Sequence, residues 1–543
     1  MRRIKSAGRI ITDNGQWLLL ALGVILSALY ARPPLPVDET RYLSVAWEMW
    51  QNNEFLVPHL NGLPYSQKPP LFFWVIHLFW WLFGVGEWQA RLVAPLFSLF
   101  SVGLTVQLAR KLWPEDRNVA AISPFILLGM SIWAFFASLT MFDTLLTCCC
   151  LIALKLILEV ERQRTIIPWI WLSVALGLGL LAKGPVALVY VVPPMLLAPW
   201  WSERRGRFWR WWYGCALGAL VGAIAIALCW AIPAAIEGGT AYGQDILFGQ
   251  TASRIVRAFA HQKPFYWYLV FLPLLFFPWI IWWPVWRGWK QLLSDRSSRF
   301  CASVILPGLL LLSCISGKQI HYTLPLLPVF ALVLAKMAVS GKQTGRFDRL
   351  PLVVSFLLAG VACLLITQFS SLARVSGVLH FLPNWLWLIP FLCALPLLHV
   401  QTSSPVISAK VMSTSYLLLF MVLHLSIAGP LHAHFQPTEI EEGLRVVQGQ
   451  ARQLAVFPAK LSHQFQFAGH LTAPVLGKNS LDELALWADA HPNEFCLFFT
   501  RNPADRLVGG KSLVREYKDG WLIFCSAGDF AASHTVRINP KTD

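Results

Sequence analysis

Residues 204–235 read RRGRFWRWWYGCALGALVGAIAIALCWAIPAA. Four arginines, Arg204, Arg205, Arg207 and Arg210, stand before a stretch, 212–235, that holds no charge at all. A bilayer-spanning helix needs about 20 mostly apolar residues, and Lys and Arg gather on the cytoplasmic side of such helices. The segment therefore predicts a helix that enters the membrane from the inside and leaves on the outside. The rest of the chain repeats the pattern. Of its 543 residues 56% are hydrophobic and 13% charged, against roughly 25% charged in an ordinary soluble domain. Mean hydropathy is +0.56. The chain reads as an α-helical polytopic membrane protein.

Working outward, a basic N-terminus (Arg2, Arg3, Lys5, Arg9) precedes an apolar run at 16–32. No small-residue cleavage site follows, so this run is expected to stay as a first helix. Further spans are expected near 91–110, 119–137, 144–160, 167–182, 185–200, 212–235, 265–286, 300–316, 323–339, 351–369, 384–399 and 411–429, about 13 in all. With the N-terminus inside, the loops holding Arg110, Lys111, Arg204 to Arg210, Lys290, Arg296, Arg299, Lys342 and Lys410 all fall inside, as the charge rule requires. The run from Pro70 to Gly84 would reverse every later loop if it crossed. It is too short for that, and Trp74, Trp80, Trp81 and Trp88 suit the membrane interface. It is expected to lie along the outer face, within a first outer loop at 33–90.

After residue 430 the apolar runs stop. EFCLFFT and GWLIFCSA read as strands and LDELALWADA as a helix, predicting a small α/β domain at 431–543 outside a transmembrane domain at 1–430. The net charge of +16 lies in inner loops, so no nucleic-acid partner is expected. Nine of the 11 cysteines sit in or beside apolar runs, and no CxxC pair occurs, so a zinc or redox motif has no support. Cys496 and Cys525 could be bonded or remain two buried thiols.

Charges that lipid ought to exclude are the informative residues. The outer loops hold Asp38-Glu39-Thr40-Arg41-Tyr42; Lys68 before Pro69-Pro70; Asp143; Lys183-Gly184-Pro185; Arg254, Arg257, His261 and Lys263; and Lys318 through His321 and Tyr322. Each has a bland reading. Asp38 and Asp143 fit helix caps, Lys68 fits a snorkelling lysine, and a lone His is more often hydrogen-bonded than a ligand. All six groups, however, are placed on one side by an independent charge argument. Cations suit a phosphate, carboxylates a hydroxyl or a general base, and apolar grooves a lipid tail. Neither a P-loop nor a GxGxxG motif is present, which argues against a nucleotide donor. The set points to a membrane-embedded lipid phosphate carrying a polar head.

These residues resemble bacterial members of the protein O-mannosyltransferase superfamily, most nearly the aminoarabinose transferases of lipid A. The resemblance rests on Asp38 to Tyr42, Asn61-Gly62 through Lys68-Pro69-Pro70, Asp143, Leu181 to Pro185, Arg254, His261 with Pro264 and Tyr268, Pro278-Trp279, and Ser316 to Pro325. It runs over roughly residues 10–340, and beyond that matches only in the placement of a C-terminal domain. It implies a GT-C fold in a bacterial inner membrane, with the site and the C-terminal domain on the periplasmic side. It implies inverting transfer from an undecaprenyl-phosphate-sugar donor to a lipid or glycan acceptor, lipid A among them. Asp38 and Asp143 would be the catalytic carboxylates. Glu39, Arg41, Tyr42, Lys68, Lys183, Arg254, His261, Lys318 and Tyr322 would line the substrate sites. The family's aminoarabinose branch carries an acid before the Lys-Pro, able to share a metal with the His at 261. Here Gln67 stands there, so no cofactor is expected, a divalent metal being the alternative, and the sugar is less defined. The rivals are a protein or envelope-glycan mannosyltransferase of the same family, and a flippase for lipid-linked sugars. A flippase should instead carry midplane charges and paired broken helices.

Overall fold

The computed structural model describes residues 2–249, 262–293, 295–341, 345–368, 383, 385–400, 402–502 and 512–538. Helices α1 (Arg2–Ala31), α2 (Asp38–Asn52), α3 (Leu71–Phe83) and α4 (Glu87–Leu112) are followed by α5 (Arg117–Gly129), α6 (Ser131–Phe136), α7 (Asp143–Gln163) and α8 (Ile167–Lys183). Then come α9 (Val186–Leu196), α10 (Ala198–Trp201) and α11 (Phe208–Glu237). The later long helices are Arg296–Cys314, Leu327–Ser340, Leu350–Gln368 and Pro405–Ser426. Six helical stretches among the described residues are long and apolar enough to cross a membrane.

Some expected spans are interrupted. The run at 119–137 breaks at Met130, whose backbone is extended, and the Ser131 N–H turns to the carbonyl of Phe277, 3.1 Å away. The run at 265–286 becomes three short helical pieces, Trp267–Phe276, Trp279–Ile281 and Trp283–Arg287. Pro278 and Pro284 stand at its breaks, where each removes a backbone donor. Apolar run length could not show these breaks, because proline and aromatic residues keep the run apolar.

Helices α4, α7, α8 and α11 pack side by side. Between apolar helices in lipid, close approach rather than hydrophobicity drives association. A Cβ on Gly177 of α8 would lie 2.8 Å from Ile226 of α11, and one on Gly222 of α11 would lie 2.3 Å from Ser173 of α8. Substituting Gly177 forces the two helices apart, whereas at Gly222 the Ser173 hydroxyl can turn aside.

The short helix α3 is about 20 Å long at 1.5 Å per residue, less than a bilayer core of about 30 Å. It buries Phe72, Phe73, Ile76 and Trp80 and exposes Trp81, Leu82 and Phe83. Between α2 and α3 a two-residue turn, Asn61-Gly62, joins strands β1 (His59–Leu60) and β2 (Leu63–Pro64). Both turn residues have positive φ, +57° and +77°, the left-handed pair that an Asn-Gly hairpin turn favours.

The C-terminal segment holds strands β3 (Leu454–Phe457), β4 (Leu476–Gly477), β5 (Phe495–Thr500), β6 (Leu513–Tyr517) and β7 (Gly520–Ser526). The sheet order is β4-β3-β5-β7-β6. β3 runs parallel to β4 and β5, whereas β7 is antiparallel to β5 and β6. Side chains alternate across the sheet. Leu497 packs with Ile440, Leu444 and Val447 of helix Thr438–Gly449. Cys496 and Phe498 face Leu484 and Phe530 on the other side. Cys496 and Cys525 are cross-strand neighbours and are two buried free thiols. Burial pushes the Cys496 thiol up to about 12.

Candidate active site

Helix α7 begins at Asp143 and α8 ends at Lys183. A carboxylate at a helix N-terminus and an ammonium at a C-terminus each sit in a favourable backbone field. The side-by-side packing of α7 and α8 then lets the two close a buried ion pair. The Lys183 Nζ lies 4.7 Å from the centre of the Tyr322 ring, a cation held against an aromatic face. Tyr322 is fixed by its own backbone: its carbonyl accepts the Tyr190 hydroxyl at 2.7 Å, and the carbonyl of Gln319 accepts the Tyr268 hydroxyl at 3.1 Å. His321 packs edge-on against Tyr322 with ring centres 4.8 Å apart.

Phe142, one residue before Asp143, gathers the outer helices. Its ring centre is 4.9 Å from Tyr42 of α2 and 4.7 Å and 5.3 Å from Phe72 and Phe73 of α3. Over this cluster hangs Lys68, with Nζ 5.7 Å from the Phe142 ring and 5.9 Å from the Tyr42 ring. Asp38 opens α2 and pairs with Arg41 one turn on. The Tyr42 hydroxyl donates to Asp38 Oδ1 at 3.4 Å. Burial pushes the Tyr42 phenol well above its ordinary value, so it donates as a neutral hydroxyl. Asp38 keeps 44% of its side chain accessible, whereas Asp143 keeps 2%.

Two expected substrate residues have other work. Glu39 is buried, paired with Arg32. Its oxygens also accept the backbone N–H groups of Thr140 at 2.6 Å and Leu35 at 2.9 Å. Successive helical side chains diverge by about 100°, so Glu39 turns inward where Asp38 turns to Arg41 and Tyr42 and stays partly exposed. Lys318 is also buried, and its ammonium donates to the carbonyls of Ile315 at 2.5 Å and Lys263 at 3.1 Å. Its charge caps backbone ends rather than facing the cluster. Arg254 and His261 lie outside the described residues. The remaining expected residues, Asp38, Arg41, Tyr42, Lys68, Asp143, Lys183 and Tyr322, come together. Phe142, their aromatic hub, went unnoticed in the sequence because a phenylalanine beside a span carries no signal.

A family model described as dolichyl-phosphate-mannose-protein mannosyltransferase matches residues 67–232, a stretch holding Lys68, Asp143 and Lys183. The undecaprenyl phosphate-alpha-4-amino-4-deoxy-L-arabinose arabinosyl transferase of Yersinia pestis (strain Pestoides F) is 25% identical over 398 residues, 70% of this chain and 71% of its own. The same enzyme of Erwinia tasmaniensis is 28% identical over 359 residues, 62% and 63% of the two chains. The crystal structure of ArnT from Cupriavidus metallidurans bound to undecaprenyl phosphate superposes with a TM-score of 0.71 at 19% identity, covering 95% of this chain and 98% of the other. The chain shares the fold of that ArnT structure and is similar in sequence to these transferases. Its long apolar helices make it a multi-pass membrane protein. In this fold three cations and two carboxylates share one aromatic-walled site, an arrangement that suits a phosphate ester beside a polar head.

Proposed function

We propose that the protein transfers a sugar, with inversion, from an undecaprenyl-phosphate-linked donor to a periplasmic-side acceptor, with lipid A as the leading acceptor and aminoarabinose as the leading sugar. The observation that carries this is the convergence of Lys68, Lys183 and Arg41 on the aromatic wall of Tyr42, Phe142 and Tyr322. The donor and sugar class come from the transferases that the chain resembles. The charge distribution of the loops supplies the orientation.

In this scheme the donor phosphate sits against Lys68 and Lys183, with Arg41 at its edge. The acceptor oxygen attacks C1 of the sugar from the face opposite the phosphate. The C1–O bond breaks and its electron pair leaves on undecaprenyl phosphate. Preorganised cations act where this charge develops, which is usually the largest contribution to such catalysis. Asp143 orients the Lys183 ammonium and keeps it charged. Asp38, on the open side of the site, takes the proton of an acceptor hydroxyl; an acceptor phosphate needs only to be oriented. Gln67 offers a neutral amide where the aminoarabinose branch has an acid, and no step uses a metal.

The test is reconstitution in vesicles with undecaprenyl-phosphate aminoarabinose and lipid A. The scheme expects transfer by the wild type and a loss of roughly 10²–10⁴-fold in Asp38→Asn. Full activity in that variant would remove Asp38 from the chemistry.

A further inference from the structure

Asn61-Gly62 is the tip of the β1–β2 hairpin. Its sequence needs no further reason than the turn, and an Asn side chain at such a tip ordinarily faces water. Here it does not. The Asn61 Nδ2 donates to the carbonyl of Val475 at 2.9 Å, and Asn61 Oδ1 accepts the Val475 N–H at 2.7 Å. One carboxamide thus meets one backbone residue in both directions, as a neighbouring strand would. Oδ1 also accepts Gln466 Nε2 at 3.2 Å.

The backbone of the same tip is held from the opposite side. The N–H groups of Asn61 and Gly62 each donate to the Glu48 carboxylate of α2 at 2.6 Å. Two further contacts join the same surfaces. Trp47 Nε1 of α2 donates to the Leu471 carbonyl at 2.8 Å. Trp80 of α3 stacks on Phe467 with planes 8° apart and centres at 5.6 Å. The seat is tight, since a Cβ on Gly62 would lie 2.9 Å from Pro474.

The consequence follows from chain connectivity. α2 opens with Asp38, Arg41 and Tyr42, and the strand leaving the hairpin leads directly to Lys68. Both reach the site from a tip that the C-terminal domain grips. We infer that Asn61 is a positioning residue: its carboxamide docks residues 466–475 of the C-terminal domain onto the hairpin and α2, and so sets Lys68 and Asp38 in register for transfer. The effect on rate rests on the proposed transferase chemistry; the docking itself does not. A misplacement of about 1 Å in such a site is enough to cost two orders of magnitude.

Three full-length variants separate this from a turn-only role. Asn61→Gly keeps a left-handed tip and removes the carboxamide. Asn61→Ala removes the carboxamide and strains the tip. Asn61→Asp tolerates the left-handed backbone but sets a carboxylate oxygen against the Val475 carbonyl, so the contact turns repulsive. If Asn61 positions the site, kcat falls in the order wild type, Asn61→Gly, then Asn61→Ala and Asn61→Asp, the first step being already about tenfold or more. Hydrogen exchange at residues 38–48 and 65–68 rises in the same order. If Asn61 only makes the turn, Asn61→Gly matches the wild type in both readouts and Asn61→Ala alone is impaired, and the inference is overturned. A wild type that transfers no sugar would sink the donor assignment instead, and the exchange order would then decide the role of Asn61.

Discussion

Glu39 accepts the backbone N–H of Thr140 at 2.6 Å while paired with the buried guanidinium of Arg32. Arg32 in turn donates to the Ser138 carbonyl at 3.0 Å. Thr140 precedes Asp143 by three residues and Glu39 follows Asp38 directly. The Arg32–Glu39 pair therefore ties the start of α2 to the start of α7, fixing where the two carboxylates of the site stand.

Breaking a buried ion pair from one side leaves an uncompensated charge, at a cost of about 3–5 kcal/mol. Glu39→Gln should therefore lower the unfolding temperature and yield of the detergent-purified protein. The double variant Arg32→Met with Glu39→Leu removes the stray charge but strands the Thr140 and Leu35 N–H groups and the Ser138 carbonyl, so it should stay well below the wild type. Equal unfolding temperatures for Glu39→Gln and wild type would show that the network carries no such load.

The Asp143–Lys183 pair should behave as a unit in activity. Asp143→Asn and Lys183→Ala are each expected to reduce transfer by 10²-fold or more, and the double variant by about as much as the worse single one, as residues sharing one function do. Multiplying losses in a double-mutant cycle would mean that the two act separately.

Stability near the C-terminal domain should depend on pH through Glu441. Burial, reinforced by Glu87 on α4, raises its carboxyl to about 7 against the opposing pull of Arg445 and Gln436. A carboxyl raised in the folded state favours folding most at low pH. That contribution is lost as pH climbs from its ordinary value of about 4.5 through about 7. Unfolding temperature compared at pH 5 and pH 8 should therefore show a component that vanishes in Glu441→Gln. An identical pH profile in that variant contradicts this.

The proposed orientation has a direct check. Cysteines at exposed Glu516 on β6 and exposed Arg205 before α11 should react differently with a membrane-impermeant maleimide in intact spheroplasts. Position 516 should label before lysis and position 205 only after it. The reverse order would invert the topology.

Much of this was legible in the sequence because bilayer physics leaves few options. A charge-free run such as 212–235 has the length and composition of a span, and Arg204 to Arg210 suggest its direction by the charge rule alone. The same logic isolated Asp143 and Lys183, since charges at the ends of apolar helices need partners. What stayed hidden was local direction. Asp38 and Glu39 are neighbours of one charge type, and only the helical turn between them separates a cleft residue from a buried strut. Lys318 looked like a phosphate ligand because a sequence does not show which carbonyls a lysine will reach. Asn61 entered the sequence reading only as a piece of the resemblance, because its partner, Val475, lies 414 positions away.

The central claim is tested most directly by mass spectrometry of lipid A from cells carrying the wild-type gene, no gene, or Asp38→Asn. A mass increment of one sugar that requires both the gene and Asp38 is the expected result. An increment unaffected by Asp38→Asn would contradict the assigned chemistry. Unchanged lipid A in the presence of the wild-type gene would contradict lipid A as the acceptor and turn the search to protein and envelope glycans.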